Sequence, residues 1–343
     1  MGFFKFINRD LAIDLGTANT VIFYNGQMVL DEPSIVALDA KTGKVIAIGN
    51  EAKLMDGKVN PGIETVCPLS DGVIGDFNAA EEMIKGFVRK VGIGRHSLFT
   101  PNLRIVVGIP CGSTQVEKRA VRDSVEHAGG RDVYIIYEPM ASALGVGLDV
   151  NKADGNMIVD IGGGTTEIAV LSLGGMVVKS SIRLAGNELT KDIQDYLRIQ
   201  HNVLVGDNEA EQIKFSIGSV LEELPESEEP EPMQIIGRNA VTGLPISVKV
   251  SYDEIARCTN GTVGKIEAEI LRVLQTTPPS VYTDIVRNGI WLAGGGALLR
   301  GIARRFSDKV NIEFHVAEDP LKAVARGTCD ALGHLEEYKF LMR

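Results

Sequence analysis

Two carboxylates, Asp14 and Asp160, each close an apolar run and open a glycine turn: Asp14-Leu15-Gly16-Thr17-Ala18-Asn19-Thr20 and Asp160-Ile161-Gly162-Gly163-Gly164-Thr165-Thr166. A carboxylate delivered by a buried strand needs a cation or hydrogen-bond donors beside it. A hydrated Mg2+ shared with phosphate oxygens meets that need. Gly16, Gly162, Gly163 and Gly164 let backbone N–H groups turn toward such oxygens, and Thr17, Asn19, Thr165 and Thr166 add donors. One copy alone is equally well explained as a hairpin turn, but turn chemistry gives no reason for a second. The repeat points to two similar halves closing on one polyanion from opposite sides.

Three further groups could join that chemistry. Gly294-Gly295-Gly296 follows a strand and allows close backbone approach to a flat ligand or to phosphates, although its spacing is neither of the dinucleotide nor of the P-loop kind. Glu211 and Lys214 stand three apart on one helix face, where they either reach a ribose or base edge together or form a surface ion pair. Glu138 ends a strand just before Pro139. Its carboxyl either orients a water for in-line attack on a terminal phosphate or belongs to a structural ion-pair network.

The elements that must hold these residues alternate between strand and helix signals, as in α/β layers. Stretch 33–62 is rich in turns, with one short apolar strand at 45–48, and reads as a small inserted lobe. Helices are expected over 79–91 and 115–128, the second capped by Ser113 and Thr114 and stopped by Gly129-Gly130. The second half repeats the pattern: strand 176–184, helices 188–200 and 209–219, an acidic proline-broken loop at 222–232, and a long helix 253–274 ending before Pro278-Pro279. A last helix is expected over 321–338.

Composition narrows the classes. With 343 residues, 44% of them hydrophobic, the chain can bury cores for about two domains. A net charge of −10 and the lack of a basic tract argue against a nucleic-acid surface. Cys67, Cys111, Cys258 and Cys329 are too scattered for a zinc site and read as reduced core thiols. No apolar run is long enough to span a bilayer, and no signal peptide precedes the first strand, so a cytoplasmic protein is expected.

The two Asp-Gly units, Glu138-Pro139-Met140-Ala141 and Gly294-Gly295-Gly296-Ala297-Leu298-Leu299 together resemble the actin/Hsp70/sugar-kinase ATPase superfamily. Glu32-Pro33-Ser34, Asp71-Gly72-Val73-Ile74, the helix start Gln115-Val116-Glu117-Lys118-Arg119 and Ala317-Glu318-Asp319-Pro320-Leu321 narrow the resemblance to the MreB family of bacterial actins, over essentially the whole chain. The resemblance implies an α/β, actin-like ATPase fold: two related α/β domains, each with a smaller inserted subdomain, and nucleotide in the cleft between them. In those terms subdomain IA takes 1–32, 63–148 and 317–343, IB takes 33–62, IIA takes 149–184 and 251–316, and IIB takes 185–250.

It also implies the cofactors ATP and Mg2+, the ion held by Asp14 and Asp160 mostly through water. Gly16, Thr17, Ala18 and Asn19 match the first phosphate loop, and Gly162, Gly163, Gly164 and Thr165 the second. Glu211, Gln212, Ile213 and Lys214, with Gly294, Gly295, Gly296 and Ala297, match the nucleoside-contacting segments. Glu138 matches the glutamate that positions the hydrolytic water, with Thr166 as its helper. The implied activity is a weak ATPase coupled to turnover of homopolymeric filaments, with paired protofilaments, that organise cell-wall synthesis and rod shape. Two alternatives stay open at this level: a phosphotransferase or chaperone-type ATPase on the same fold, and a module that holds ATP without hydrolysing it.

The implied partners are further copies of the chain, the inner face of the cytoplasmic membrane and transmembrane elongation-complex proteins such as RodZ, with no nucleic acid. Phe3, Phe4, Phe6 and Ile7 crowd around Lys5, which reads either as a membrane-binding patch or as an extra strand packed on the protein. Leu98 and Phe99 resemble the hydrophobic insertion loop of these filament proteins. A buried side chain of this size contributes only about 1.5–3 kcal/mol, so one subunit binds weakly and many copies bind by avidity. The expected location is the cytoplasm, with peripheral attachment to membrane.

Overall fold

The computed structural model describes residues 9–92 and 103–343. Two five-stranded sheets dominate it, and they are built alike. In the first, strands run in the order Asp132–Tyr137, Leu103–Ile109, Arg9–Leu15, Asn19–Tyr24, Gln27–Pro33. In the second the order is Phe314–Val316, Ile290–Ala293, Asn156–Ile161, Thr166–Ser172, Gly175–Ile182. Each centre is the strand that carries the motif aspartate as its next-to-last residue. It pairs antiparallel with the strand after its glycine turn and parallel with a strand from far along the chain. A third antiparallel strand follows in both halves, each with a register shift in its pairing.

Parallel neighbours need long crossovers, and helices supply them. Phe77–Lys90 and Gln115–His127 cover one face of the first sheet, where Leu11, Ile13 and Leu15 pack with Met83, Phe87 and Val125. Tyr252–Thr276, Pro279–Asn288 and Ile302–Val310 lie behind the second sheet, where Val159 and Ile161 pack with Val263, Ile285 and Phe306. Strand period two then sends Ala12 and Ile158 the other way, into a shared middle layer. Helices Glu138–Gly145 and Ala323–Gly333 fill that layer. They cross backbone to backbone, because a Cβ at Gly145 would overlap Ala323 and one at Gly327 would overlap Ala141.

Local signals explain most element ends. Thr114 and Glu117 form a reciprocal capping box at the start of Gln115–His127, and the chain turns out of that helix at Gly129. The 222–232 segment is a loop, as its acid and proline content predicts. Four expectations needed revision, the first being that Cys67, expected in a core with the other thiols, is exposed. The 33–62 region and its border carry three strands, Val36–Asp39, Val45–Ile48 and Ile63–Val66, with helix Asn50–Met55, not one strand. Four-residue strands offer too few alternations to stand out. Pro278-Pro279 does more than end a helix: Pro279 begins Pro279–Asn288, since proline at the first turn lacks only an N–H that has no helical acceptor. The last helix is shorter than expected, a 3-10 turn Pro320–Lys322 leading into Ala323–Gly333.

Above the second sheet, helices Gly186–Gln200 and Asp207–Ile217 pack with strands Val203–Leu204, Met233–Asn239 and Pro245–Val250 around Ile193, Leu197, Ile213 and Ile235. No helix among the described residues is long and apolar enough to cross a membrane. Phe3, Phe4, Phe6, Ile7, Leu98 and Phe99 lie outside the described residues.

Candidate functional site

Strand alternation sets the chemistry of the cleft. Asp14 shares a face with Ala12, Asp160 with Ile158 and Glu167 with Ala169, all three apolar partners belonging to the middle layer, and Glu138 reaches the same layer as the first residue of helix Glu138–Gly145, directly after strand Asp132–Tyr137. Four carboxyl groups therefore converge between the sheets, three of them at the carboxyl ends of strands, where open α/β sheets bind ligands. Asp160 is 6% exposed and Glu167 1% exposed, while Asp14 and Glu138 are half-buried.

Crowding acids in a dry cleft favours their neutral forms. Burial, then the charges of Asp160 and Asp31, push the Asp14 carboxyl up to about 7. Burial also pushes Asp160 up to about 7, with Glu167 adding to the rise and the nearby Ser142 hydroxyl opposing it. The Ser142 hydroxyl stands near this carboxyl without hydrogen-bond geometry to it, so Ser142 Oγ and Asp160 Oδ2 are both buried without a partner among the described residues. Glu138 is raised well above the ordinary carboxylate range by burial and by Glu167, Asp14 and Asp160. Glu167 is raised by burial, against donors that hold its charged form: the Cys111 N–H reaches Oε2 at 2.7 Å and the Ser181 hydroxyl reaches Oε1.

The two glycine turns meet at the floor of this cleft. In the first, the Ser34 hydroxyl donates to Gly16 O at 2.7 Å, Thr17 Oγ1 accepts from the Gly72 N–H at 3.0 Å, and Asn19 Nδ2 donates to Asp31 at 3.1 Å. In the second, Gly162 N–H closes the turn on Thr165 O at 2.9 Å. The carbonyls of Gly162 and Gly163 accept from Gly186 and Asn187, and the N–H groups of Gly163 and Gly164 donate to no backbone carbonyl among the described residues. A Cβ on Gly163 would lie 3.0 Å from Ala18 Cβ, and one on Gly164 2.8 Å from both Asp71 Cα and Thr17 Oγ1. The glycines are there because the loops touch.

The remaining predicted residues divide. Gly294, with φ near 76°, bends beside Asp160, and Gly295–Leu298 follows as a 3-10 turn, so this third cluster joins the cleft through its backbone. Ala297 points into the core behind the second sheet, and Ile213 into the core of the upper lobe, so neither side chain faces a ligand. Glu211 is half-buried and Gln212 exposed. Lys214 is neither a surface ion pair nor a free hand: its Nζ donates to Gly186 O and Thr190 Oγ1, both at 2.8 Å, and so ties its helix to the second loop. Thr166 is fully buried and its hydroxyl donates to Leu184 O at 2.6 Å, an engagement that anchors the loop exit.

Two participants escaped the sequence reading as site residues. Glu167 follows Thr166 and takes the cleft-facing side of the strand that Thr166 leaves, a placement that alternation with Ala169 and Leu171 could have shown. Asp71-Gly72 is a two-residue hairpin turn with φ near 51° and 75°, wedged between the two glycine loops, and its Asp-Gly pair is a hairpin signal in its own right. Among the described residues no group of three or more His, Cys, Asp or Glu side chains could hold a metal unaided.

With this geometry in view, comparison decides the family. The MreB/Mbl protein family model matches residues 8–340. The chain belongs to the MreB/Mbl family. Its sequence is 42% identical to the cell shape-determining protein MreB of Escherichia coli over 330 residues, 95% of this chain and 93% of that protein. It is 40% identical to the cell shape-determining protein Mbl of Bacillus cereus over 321 residues, 93% and 94% of the two chains. The crystal structure of MreB5 of Spiroplasma citri bound to AMPPNP superposes with a TM-score of 0.89 at 36% identity, covering 96% of this chain and 98% of that one. The ADP-bound form of the same protein gives the same score. This MreB/Mbl chain thus has the actin-like ATPase fold.

Proposed function

We propose that this MreB/Mbl protein binds ATP in the cleft, hydrolyses it slowly, and uses the bound nucleotide to govern assembly of filaments on the inner face of the cytoplasmic membrane, where they organise wall synthesis and rod shape. One observation carries the nucleotide reading: four carboxyl groups and two touching glycine loops converge at one floor, with Asp160 Oδ2 buried and unpartnered. Acids so placed need positive charge brought to them. A divalent cation bound together with nucleotide phosphates would bring that charge, and the MreB5 structures with AMPPNP and with ADP support a nucleotide as the ligand that accompanies it.

Asp14 and Asp160 are the residues that would hold Mg2+, mostly through water, and the orphaned Asp160 oxygen fits that role. When bound, the ion offsets the charge of the phosphates and of these acids. The free N–H groups of Gly163 and Gly164 bind phosphate oxygens, with Thr17 and Thr165 beside them. Glu138 accepts a hydrogen bond from the attacking water and orients it. Glu211 and the Gly294–Ala297 backbone border the nucleoside, and Lys214 holds the second loop in place. Filaments of paired protofilaments, transmembrane partners such as RodZ, and membrane contact through Phe3, Phe4, Phe6, Ile7, Leu98 and Phe99 extend the same reading. The names of the E. coli and B. cereus relatives support the role in cell shape.

The test is Glu138→Ala. Nucleotide affinity should stay within about twofold while phosphate release slows roughly 100-fold, the usual scale of a lost acid–base or water-positioning group. A wild-type rate would remove Glu138 from the chemistry. Wild-type protein with ATP and Mg2+ should pellet as filaments, and persistent monomers across salt and concentration would end the polymer reading.

A further inference from the structure

The loop after strand Leu103–Ile109 leaves the first half and lies against Gly175–Ile182, the edge strand of the second sheet. Cys111 in this loop is held at both ends of its backbone by the other half. Its N–H donates to Glu167 Oε2 at 2.7 Å, and its carbonyl accepts from Lys179 Nζ at 3.0 Å. Register pairs Glu167 with Ser181 and Ala169 with Lys179, so Glu167, Lys179 and Ser181 share the face turned to the first half. Next in the loop, a Cβ on Gly112 would lie 2.8 Å from Ser181 Cβ, so loop and strand are in direct contact.

Lys179 has a second hold. Its Nζ stands 4.7 Å from the centre of the Tyr137 ring. Lys118 lies 4.9 Å from the same ring and donates to its hydroxyl at 2.7 Å, fixing the ring from within the first half. Tyr137 directly precedes Glu138 in the chain. One cation of the second half thus grips two first-half elements, one of them covalently next to the carboxyl that faces the cleft. Its partner Glu167 extends from the exit of the second glycine loop.

We propose that Lys179, together with Glu167, is a positioning residue: the two side chains clamp Cys111 and Tyr137 and so set where Glu138 stands relative to a phosphate held by the second loop. The inference rests on the role of Glu138 proposed above. Its physical basis is that a reacting water tolerates little misplacement, about 1 Å being enough to slow chemistry by two orders of magnitude. Lys179 acts through Cys111 and Tyr137, and Glu167 through Cys111, across the gap between the halves.

The experiment measures single-turnover phosphate release and nucleotide affinity on the full chain. Lys179→Met keeps the aliphatic stem and loses both the charge and the donor. It should slow release roughly 5- to 20-fold with affinity within about twofold, since the loss is felt at the chemical step. Lys179→Arg, which can still stack on the ring and donate to the carbonyl, should recover to within about twofold of wild type. In the Glu138→Ala background, Lys179→Met should add no further slowing, because a residue acting through Glu138 has nothing left to position. Unchanged release in Lys179→Met, parallel loss of nucleotide affinity, or full additivity with Glu138→Ala would each overturn the clamp. If Glu138→Ala is slow and Lys179→Met is normal, the clamp alone fails; if Glu138→Ala turns over at the wild-type rate, the functional reading fails and takes the clamp with it.

Discussion

The two aspartate hairpins share a topology and differ in how they are packed. The first carries one glycine between its strands, leaves Ala18 and Asn19 exposed, and is braced by side chains: Ser34 on Gly16, Thr17 on Gly72, Asn19 on Asp31. The second carries three glycines and is braced through backbone, with its carbonyls spent on Gly186 and Asn187. Its aspartate is buried, whereas Asp14 is half-buried. One scaffold appears twice, and packing divides the labour between the copies. The second loop is the close-fitting member that presses on the first loop and on Asp71, and the first contributes side-chain hydroxyl and amide groups.

The sharpest way to break this contrast is to give the second loop a side chain. Gly164→Ala places a methyl 2.8 Å from Asp71 Cα, a backbone atom that cannot swing aside. Overpacking of this kind costs about 2–3 kcal/mol, which should weaken nucleotide binding roughly 30- to 150-fold. Ala18→Gly, in the open first loop, should change it less than about threefold. Isothermal titration with a non-hydrolysable analogue measures both. Equal effects in the two loops would dissolve the distinction.

The duplicated architecture was legible because it is written locally: an apolar strand, an aspartate, a glycine turn and a second strand recur with matching residues, and the capping pair Thr114 and Glu117 announces its helix. What stayed hidden depends on contacts between segments distant in sequence. Thr166 and Glu167 are neighbours, and only the sheet's two environments decide that Glu167 faces the cleft while Thr166 bonds to Leu184. Lys214 reads from sequence as a ligand residue or a surface ion pair, and only the fold brings Gly186 O to its amine. Ile213 and Ala297 fall inside matching motifs, yet their side chains serve the cores. A motif names a stretch of backbone; tertiary packing assigns each side chain in it.

The second contrast is electrostatic and concerns pH. Asp14 and Asp160 are both raised from 3.8 to about 7, so folding favours their protonated forms. The stability gained this way is fully present below the unfolded value near 3.8 and is lost as pH rises through about 7. Nucleotide-free protein should therefore melt at lower temperature at about pH 8 than at about pH 5.5, by on the order of 5 °C. Asp160→Asn should flatten the dependence more than Asp14→Asn, because solvent in the cleft screens the half-buried Asp14. Adding Mg2+ and nucleotide should remove most of the slope in wild type. A melting temperature that rises over this range would contradict the crowded-acid picture, and equal flattening by the two substitutions would erase the asymmetry between the hairpins.

The smallest expected effect isolates the brace that joins the first loop to the Asp71-Gly72 turn. Thr17→Val conserves shape and removes the hydroxyl that accepts from the Gly72 N–H at 3.0 Å. The turn itself is specified by its Asp-Gly pair and should survive, so the loss is that of one part-buried hydrogen bond, about 1 kcal/mol. If Thr17 does no more than brace the turn, nucleotide affinity should fall by no more than about fivefold. A fall beyond about tenfold would mean that the same hydroxyl also donates to a phosphate oxygen, which would place side-chain chemistry in the first loop against backbone chemistry in the second. Thr17→Ser separates the cases. It keeps acceptor and donor alike and should restore affinity in either event, whereas failure to restore it would shift the role to the threonine methyl.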